Sequence, residues 1–273
     1  MGSEIIGLHN WLDTPPGRYL LDWECGRFDQ AVADVFGYHA LQLGLPELPG
    51  LQNNRIPHRW LASAAIRAPL ATASPGLDAT LVTDFSALPF SESSLDLMLL
   101  PHALELSPDP HATLREVERV LVPEGRVVIS GFNPMSLWGL RQSRGRLYRR
   151  LGVGDLYVPE VAHLIGYWRL RDWLRLLSFE VESVQFGCYR PSVRSEAWLN
   201  RFAWMDRVGE RSLPILGAVY FVVAVKRVRG MRLLGPSWKA PKALANAPVP
   251  IANKGANKNG TSRDGQPDSQ RKR

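Results

Sequence analysis

An acidic residue that ends an apolar run, with glycine close behind, is the pattern that holds a nucleotide-type ligand at a strand-to-helix turn. Residues 17–37, GRYLLDWECGRFDQAVADVFG, have that form: Tyr19-Leu20-Leu21 meets Asp22, Gly26 follows, and a helix-like segment starts at Phe28. Such turns use glycine because a Cβ obstructs approach of the backbone and because φ > 0 is hard for other residues. This turn has one glycine, and Glu24 adds a negative charge beside it. Asp84 ends a further expected strand, Leu77–Thr83, and can hold a polar edge of a ligand or serve as a turn or N-cap aspartate. His102 comes just after the run Leu95–Leu100, where open α/β sheets take ligands, and is the histidine best placed to act as a base. Glu105 reads as a turn or helix-end residue and Cys25 as a buried, inert thiol. The histidines show no paired HxxxH or HxH spacing and the two cysteines no ligand spacing, so no metal is expected. No G-x-S-x-G or Walker-type loop is present, which argues against hydrolysis and phosphoryl transfer.

The elements that would position these residues alternate strand and helix. Leu95–Leu100 is apolar except for Asp96, as in a strand buried on both faces. Asp109 and Pro110 then form a helix start, and Leu114, Val117 and Leu121 repeat at helical spacing. Gly125 closes the turn into a second short strand, Arg126–Ser130. Strands are also expected over Gly17–Trp23, His39–Gly44, Leu77–Thr83, Phe179–Phe186 and Gly217–Val225, with a helix carrying Leu170, Trp173, Leu174 and Leu177. Residues 44–69 read as loop with one short helix. The sum is an α/β fold: a Rossmann-like, doubly wound sheet of about seven strands.

Residues 84–130, DFSALPFSESSLDLMLLPHALELSPDPHATLREVERVLVPEGRVVIS, carry a resemblance. They resemble the core of class I S-adenosylmethionine-dependent methyltransferases of the small-molecule type, in Asp84, Leu88-Pro89-Phe90, Ser94-Leu95-Asp96, Leu104-Glu105-Leu106, Leu114–Leu121, Pro123 and Gly125. The resemblance extends over roughly Arg18–Arg227 and implies a mostly parallel seven-stranded sheet with an antiparallel last strand. It implies S-adenosylmethionine as cofactor, held by Asp22, Glu24, Gly26, Gly44, Asp84, Phe85 and Pro101. In that alignment the first motif is degenerate: Asp22 and Gly26 match, while Glu24 and Phe28 stand in place of glycines. Gly44 falls at the end of the second strand, where an acid should take the ribose hydroxyls, and Asp84 would take the adenine amino group. On the acceptor side the resemblance points to His102, Asn133 and Trp138, with residues 132–160 as a cover segment rich in arginine and aromatic residues. No catalytic residue is required, since methyl transfer depends mainly on positioning. The implied activity is methyl transfer to an unidentified small molecule. The alternative is a non-catalytic relative that uses the cleft or the arginines to bind a partner.

Composition narrows the setting. The chain has 273 residues, 45% hydrophobic and 22% charged, ordinary for a globular protein. The net charge of +7 is mostly terminal: Ser237–Arg273 holds eight Lys/Arg against two Asp/Glu. The expected division is therefore a domain over 1–229 and a disordered basic tail over 230–273, able to attract nucleic acid only weakly. No membrane span, signal peptide or disulfide framework is visible, so a cytoplasmic setting is expected.

Overall fold

In the computed structural model, residues 7, 8, 10–64, 79–150, 156–158 and 164–227 are described, all within the unit Met1–Gly230. The basic tail and residues 65–78 lie outside them. The first long element is a helix, α1 (Pro15–Val32), which corrects the expected strand over Gly17–Trp23. Pro15 and Pro16 open its first turn, where a missing N–H costs nothing. Leu20, Glu24, Phe28 and Val32 then recur every fourth residue and are all buried. That spacing is helical. Gly17 sits where α1 crosses the chain before it: a Cβ there would stand 2.3 Å from Trp11 O and 2.4 Å from Leu12 Cα. Because those obstacles are backbone, Gly17→Ala is expected to destabilise by roughly 1–3 kcal/mol in urea unfolding. An unchanged midpoint would mean that Trp11 and Leu12 do not pack on the helix.

The sheet follows in the order β3-β2-β1-β4-β5-β7-β6. Its strands are β1 (His39–Leu43), β2 (His58–Ser63), β3 (Ala79–Val82), β4 (Leu95–Pro101), β5 (Leu121–Phe132), β6 (Phe179–Gly187) and β7 (Val219–Lys226). The first five are parallel, and β7 runs antiparallel between β5 and β6. The expected seven strands are therefore present, but the set differs by one. Gly17–Trp23 is helix, and β2 lies in the stretch expected to be loop. The polar start of β2 hid it: His58, Arg59 and Trp60 are not an apolar run, and the rings of His58 and Trp60 stack with His39 of β1.

The strand order reverses between β1 and β4, and such a switch point opens a crevice at the strands' C-terminal ends. One face of the sheet is covered by α1, whose Leu20, Phe28 and Val32 pack with Leu97, Leu99, Val128 and Phe221. The other face is covered by α3 (Pro110–Val120) and α5 (Tyr167–Leu176) through Leu114, Val117, Leu170 and Leu174. Asp109 caps α3 as expected, its Oδ1 accepting from His111 N and Ala112 N, both at 3.0 Å. Residues 44–57, between β1 and β2, contain turns and no helix. The N-terminal α1 thus supplies cover that a crossover helix would otherwise give.

Candidate active site

At the C-terminal end of β4, Pro101 is buried and pairs with Ser130 of β5. His102 follows with φ 52, a left-handed conformation uncommon outside glycine, and its N–H donates to Ser130 O at 3.1 Å. This turns the chain into the short helix α2 (Ala103–Leu106) and directs the imidazole under α1. There it stands between two carboxylates. His102 Nδ1 is 2.7 Å from Glu105 Oε2, and Nε2 is 3.1 Å from Glu24 Oε1. Glu105 Oε1 also accepts from Phe132 N at 2.7 Å. All three residues have zero exposure.

Burial opposes charging of His102, but the Glu24 carboxylate and the Glu105 hydrogen bond overcome it and hold the imidazole protonated, pushed up to about 10. Burial raises the Glu105 carboxyl above its ordinary range, against the pull of His102 and Phe132 N–H. Glu24 Oε2 has no hydrogen-bond partner among the described residues, and neither does the buried Ser130 Oγ on the same sheet face. Two carboxylates around one histidine, with polar atoms left over, is a costly arrangement for a purely structural site. Buried groups of this kind gather where chemistry is done.

Beside it, β1 ends at Leu43, and Gly44 takes φ +71. Gly44 therefore closes the first strand, not the second, and the glycine turn next to the switch point is here and not at Gly26. The loop is built around Gln42, two residues earlier. Its Nε2 donates to the carbonyls of Gly44, Leu45 and Leu48 at 3.3, 3.0 and 2.9 Å. Phe85 is buried against Gly44, its ring 3.7 Å from where a Cβ would lie. Asp84 precedes it at the end of β3, exposed, with Oδ1 accepting from Ser86 N at 2.9 Å and Ser86 Oγ at 2.8 Å. Those bonds hold its carboxyl below the ordinary range.

The expected site residues thus separate into three groups. Gly44, Asp84, Phe85, Pro101 and His102 lie along the C-terminal edge. Asp22 and Gly26 do not: both are exposed on α1, and a Cβ on Gly26 would meet nothing within 4 Å. Glu24 reaches the edge, but as an inward residue of that helix and not as part of a glycine turn; Phe28 likewise packs on Phe221, ring centroids 4.9 Å apart. Asn133 and Trp138 are buried with their polar groups spent. Asn133 Nδ2 donates to Ile215 O and Gly217 O at 2.7 and 2.9 Å, and Trp138 Nε1 to Arg190 O at 2.8 Å. They hold the segment after β5, including α4 (Leu137–Arg150), in place. Sequence reasoning missed the roles of Glu105 and Gln42. The first was visible as a carboxylate three residues after His102 and the second as an amide two residues before Gly44.

These residues fit the nucleoside half of the implied cofactor. A positive-φ glycine ends β1 with an aromatic ring against it, and Asp84 Oδ2 has no hydrogen bond among the described residues. The half near His102 is closed by Glu24 in this conformation.

The family described as Methyltransferase domain matches residues 59–129, from β2 to the end of the central block, leaving out α1 and the Gly44 turn. An uncharacterized Escherichia coli (strain K12) protein, YafS, is 29% identical over 224 residues, covering 82% of each chain. A malonyl-[acyl-carrier protein] O-methyltransferase of Halorhodospira halophila is 40% identical over 58 residues, 21% of this chain and 20% of that one. Among solved structures, the methyltransferase in a complex with the Trm112 methyltransferase activator of Haloferax volcanii superposes with a TM-score of 0.57. It is 16% identical and covers 83% of this chain and 99% of its own. By sheet order and by superposition the chain has the class I methyltransferase fold, and its central segment matches the methyltransferase domain family.

Proposed function

We propose that the protein transfers a methyl group from S-adenosylmethionine to a small acceptor that gives up a proton during the reaction. The observation that carries this reading is the buried Glu24–His102–Glu105 cluster at the sheet's switch point, one strand from the glycine turn. Gly44 lets the backbone approach the nucleoside, Phe85 offers it a flat apolar surface, and Asp84 Oδ2 accepts from an amino group. When bound, the cofactor supplies an electrophilic methyl on a sulfonium. Glu105 fixes the imidazole through Nδ1, so Nε2 is the nitrogen that faces a ligand once Glu24 withdraws. Withdrawal of Glu24 also removes the main pull that keeps His102 charged, and burial then favours the neutral imidazole. A neutral Nε2 can take the acceptor's proton.

One observation favours the non-catalytic alternative. The turn after β1 is tied by Gln42 to three carbonyls, and no helix N-terminus follows it to meet a ligand. Calorimetry of the full chain with S-adenosylmethionine and with its demethylated product separates the two readings. Binding of either, weakened about tenfold or more by Asp84→Ala, is the expected result. No heat with either ligand at about millimolar concentration, an affinity near −4 kcal/mol, would leave only the alternative.

A further inference from the structure

The helices after β6 present a surface that methyl transfer does not use. α6 (Glu196–Arg201) and α7 (Trp204–Ser212) lead through the turn Pro214–Leu216 into β7. α7 docks through Gly209, where a Cβ would stand 2.2 Å from the Tyr189 ring, and through Asp206. Its opposite face, Trp204, Val208 and Arg211, is turned outward, and none of its residues is buried. Leu213, Ile215 and Leu216 continue the apolar surface. Met135 joins it through Asn133, which accepts from Met135 N at 3.1 Å and donates to Ile215 O at 2.7 Å. Trp204, Leu213 and Met135 are each 57% exposed.

Charge on this face is one-sided. Both carboxylates of α7 have partners elsewhere: Asp206 pairs inward with Tyr19 and Arg190, and Glu210 pairs at the surface with Arg27. Arg207 and Arg211 are exposed and have no ion-pair partner among the described residues. Arg201 lies 5.6 Å from the ring of Trp198, itself half exposed. Tryptophan and aliphatic residues with flanking arginines suit the boundary between headgroups and acyl chains. A second copy of the chain fits less well, because pairing the face with itself sets Arg207 and Arg211 against like charges. The face lies at the functional edge of the sheet, since Val219 at the start of β7 pairs with Phe132 at the end of β5.

We propose that this face seats the protein on an anionic lipid surface, with Trp204, Val208, Leu213, Ile215, Leu216 and Met135 entering the interface and Arg207 and Arg211 meeting lipid phosphates. No helix of the described residues is long and apolar enough to cross a membrane, and this contact needs none. The test is co-sedimentation of the full chain with phosphatidylcholine vesicles, with and without phosphatidylglycerol. The comparison is with a Trp204→Glu, Ile215→Glu variant that keeps the basic tail. Both positions are exposed, so circular dichroism and the unfolding midpoint serve to show that the variant folds. The expected result is partition onto the phosphatidylglycerol vesicles that the double substitution lowers by about tenfold or more. Equal partition of both proteins would assign binding to the tail and overturn the proposal. So would absence of partition, or a wild-type dimer in sedimentation that the variant breaks, which would make a second copy the occupant.

Discussion

Glu105→Ala lowers the unfolding free energy by roughly 3–5 kcal/mol, the range for removing one partner of a buried ion pair. The substitution takes the acceptor from Phe132 N and the nearest carboxylate from His102, both without access to water. Glu24→Gln gives the contrast. Glu24 is the second carboxylate around one imidazole, and its Oε2 has no partner among the described residues. A neutral amide of the same shape is expected to change stability by no more than about 1 kcal/mol. Urea unfolding of the two variants decides the matter. If Glu24→Gln costs as much as Glu105→Ala, the division into a structural partner and a displaceable one is wrong.

The same cluster gives stability a dependence on pH. His102 is raised from 6.5 to about 10 in the folded protein, so its contribution is fully present below pH 6.5 and is lost as pH rises toward 10. Glu105 is raised as well, and a carboxyl that holds its proton more tightly when folded also favours folding at the acid end. Both effects have one sign. Between pH 6.5 and about 8.5 the unfolding free energy should fall by roughly 2–3 kcal/mol. The other groups near the cluster are Cys25 and Cys188 beside Glu24 and Tyr220 beside Glu105; burial pushes all three upward in the folded protein, so any contribution they make toward pH 8.5 has the same sign. In Glu24→Gln the imidazole loses its main upward pull, and the slope should become shallower. Equal slopes in wild type and variant would remove the cluster as the cause.

The parts of the fold legible in the sequence were those fixed by local signals. Asp109 and Pro110 are suited to start a helix and Leu95–Leu100 to form a strand buried on both faces, and the structure has both. α1 was misread because its buried row passes through a charged residue. Leu20, Phe28 and Val32 mark a helical face, but Glu24 at its centre interrupts the apolar pattern, and Tyr19-Leu20-Leu21 before Asp22 imitates a strand end. The reason for the interruption lies in tertiary structure: Glu24 is buried because His102 awaits it from another part of the chain. The site was legible to the same extent. Position alone put His102, Asp84 and Gly44 at strand ends, while the carboxylate opposite Nε2 could be found only once α1 was laid across the sheet. A buried charge is the residue that local pattern reads worst, because what stabilises it is distant in sequence.

That α1 precedes every strand, yet packs against the strand formed last, bears on how the chain reaches its native state. Phe28 rests on Phe221, and Leu20 and Val32 share the layer that includes Val219 and Val223. During synthesis α1 leaves the ribosome with its apolar row uncovered, and its seat does not exist until β7 has been made. Closure of that layer is then a late event, and with it the enclosure of His102. Loss of either α1 or β7 removes the same joint.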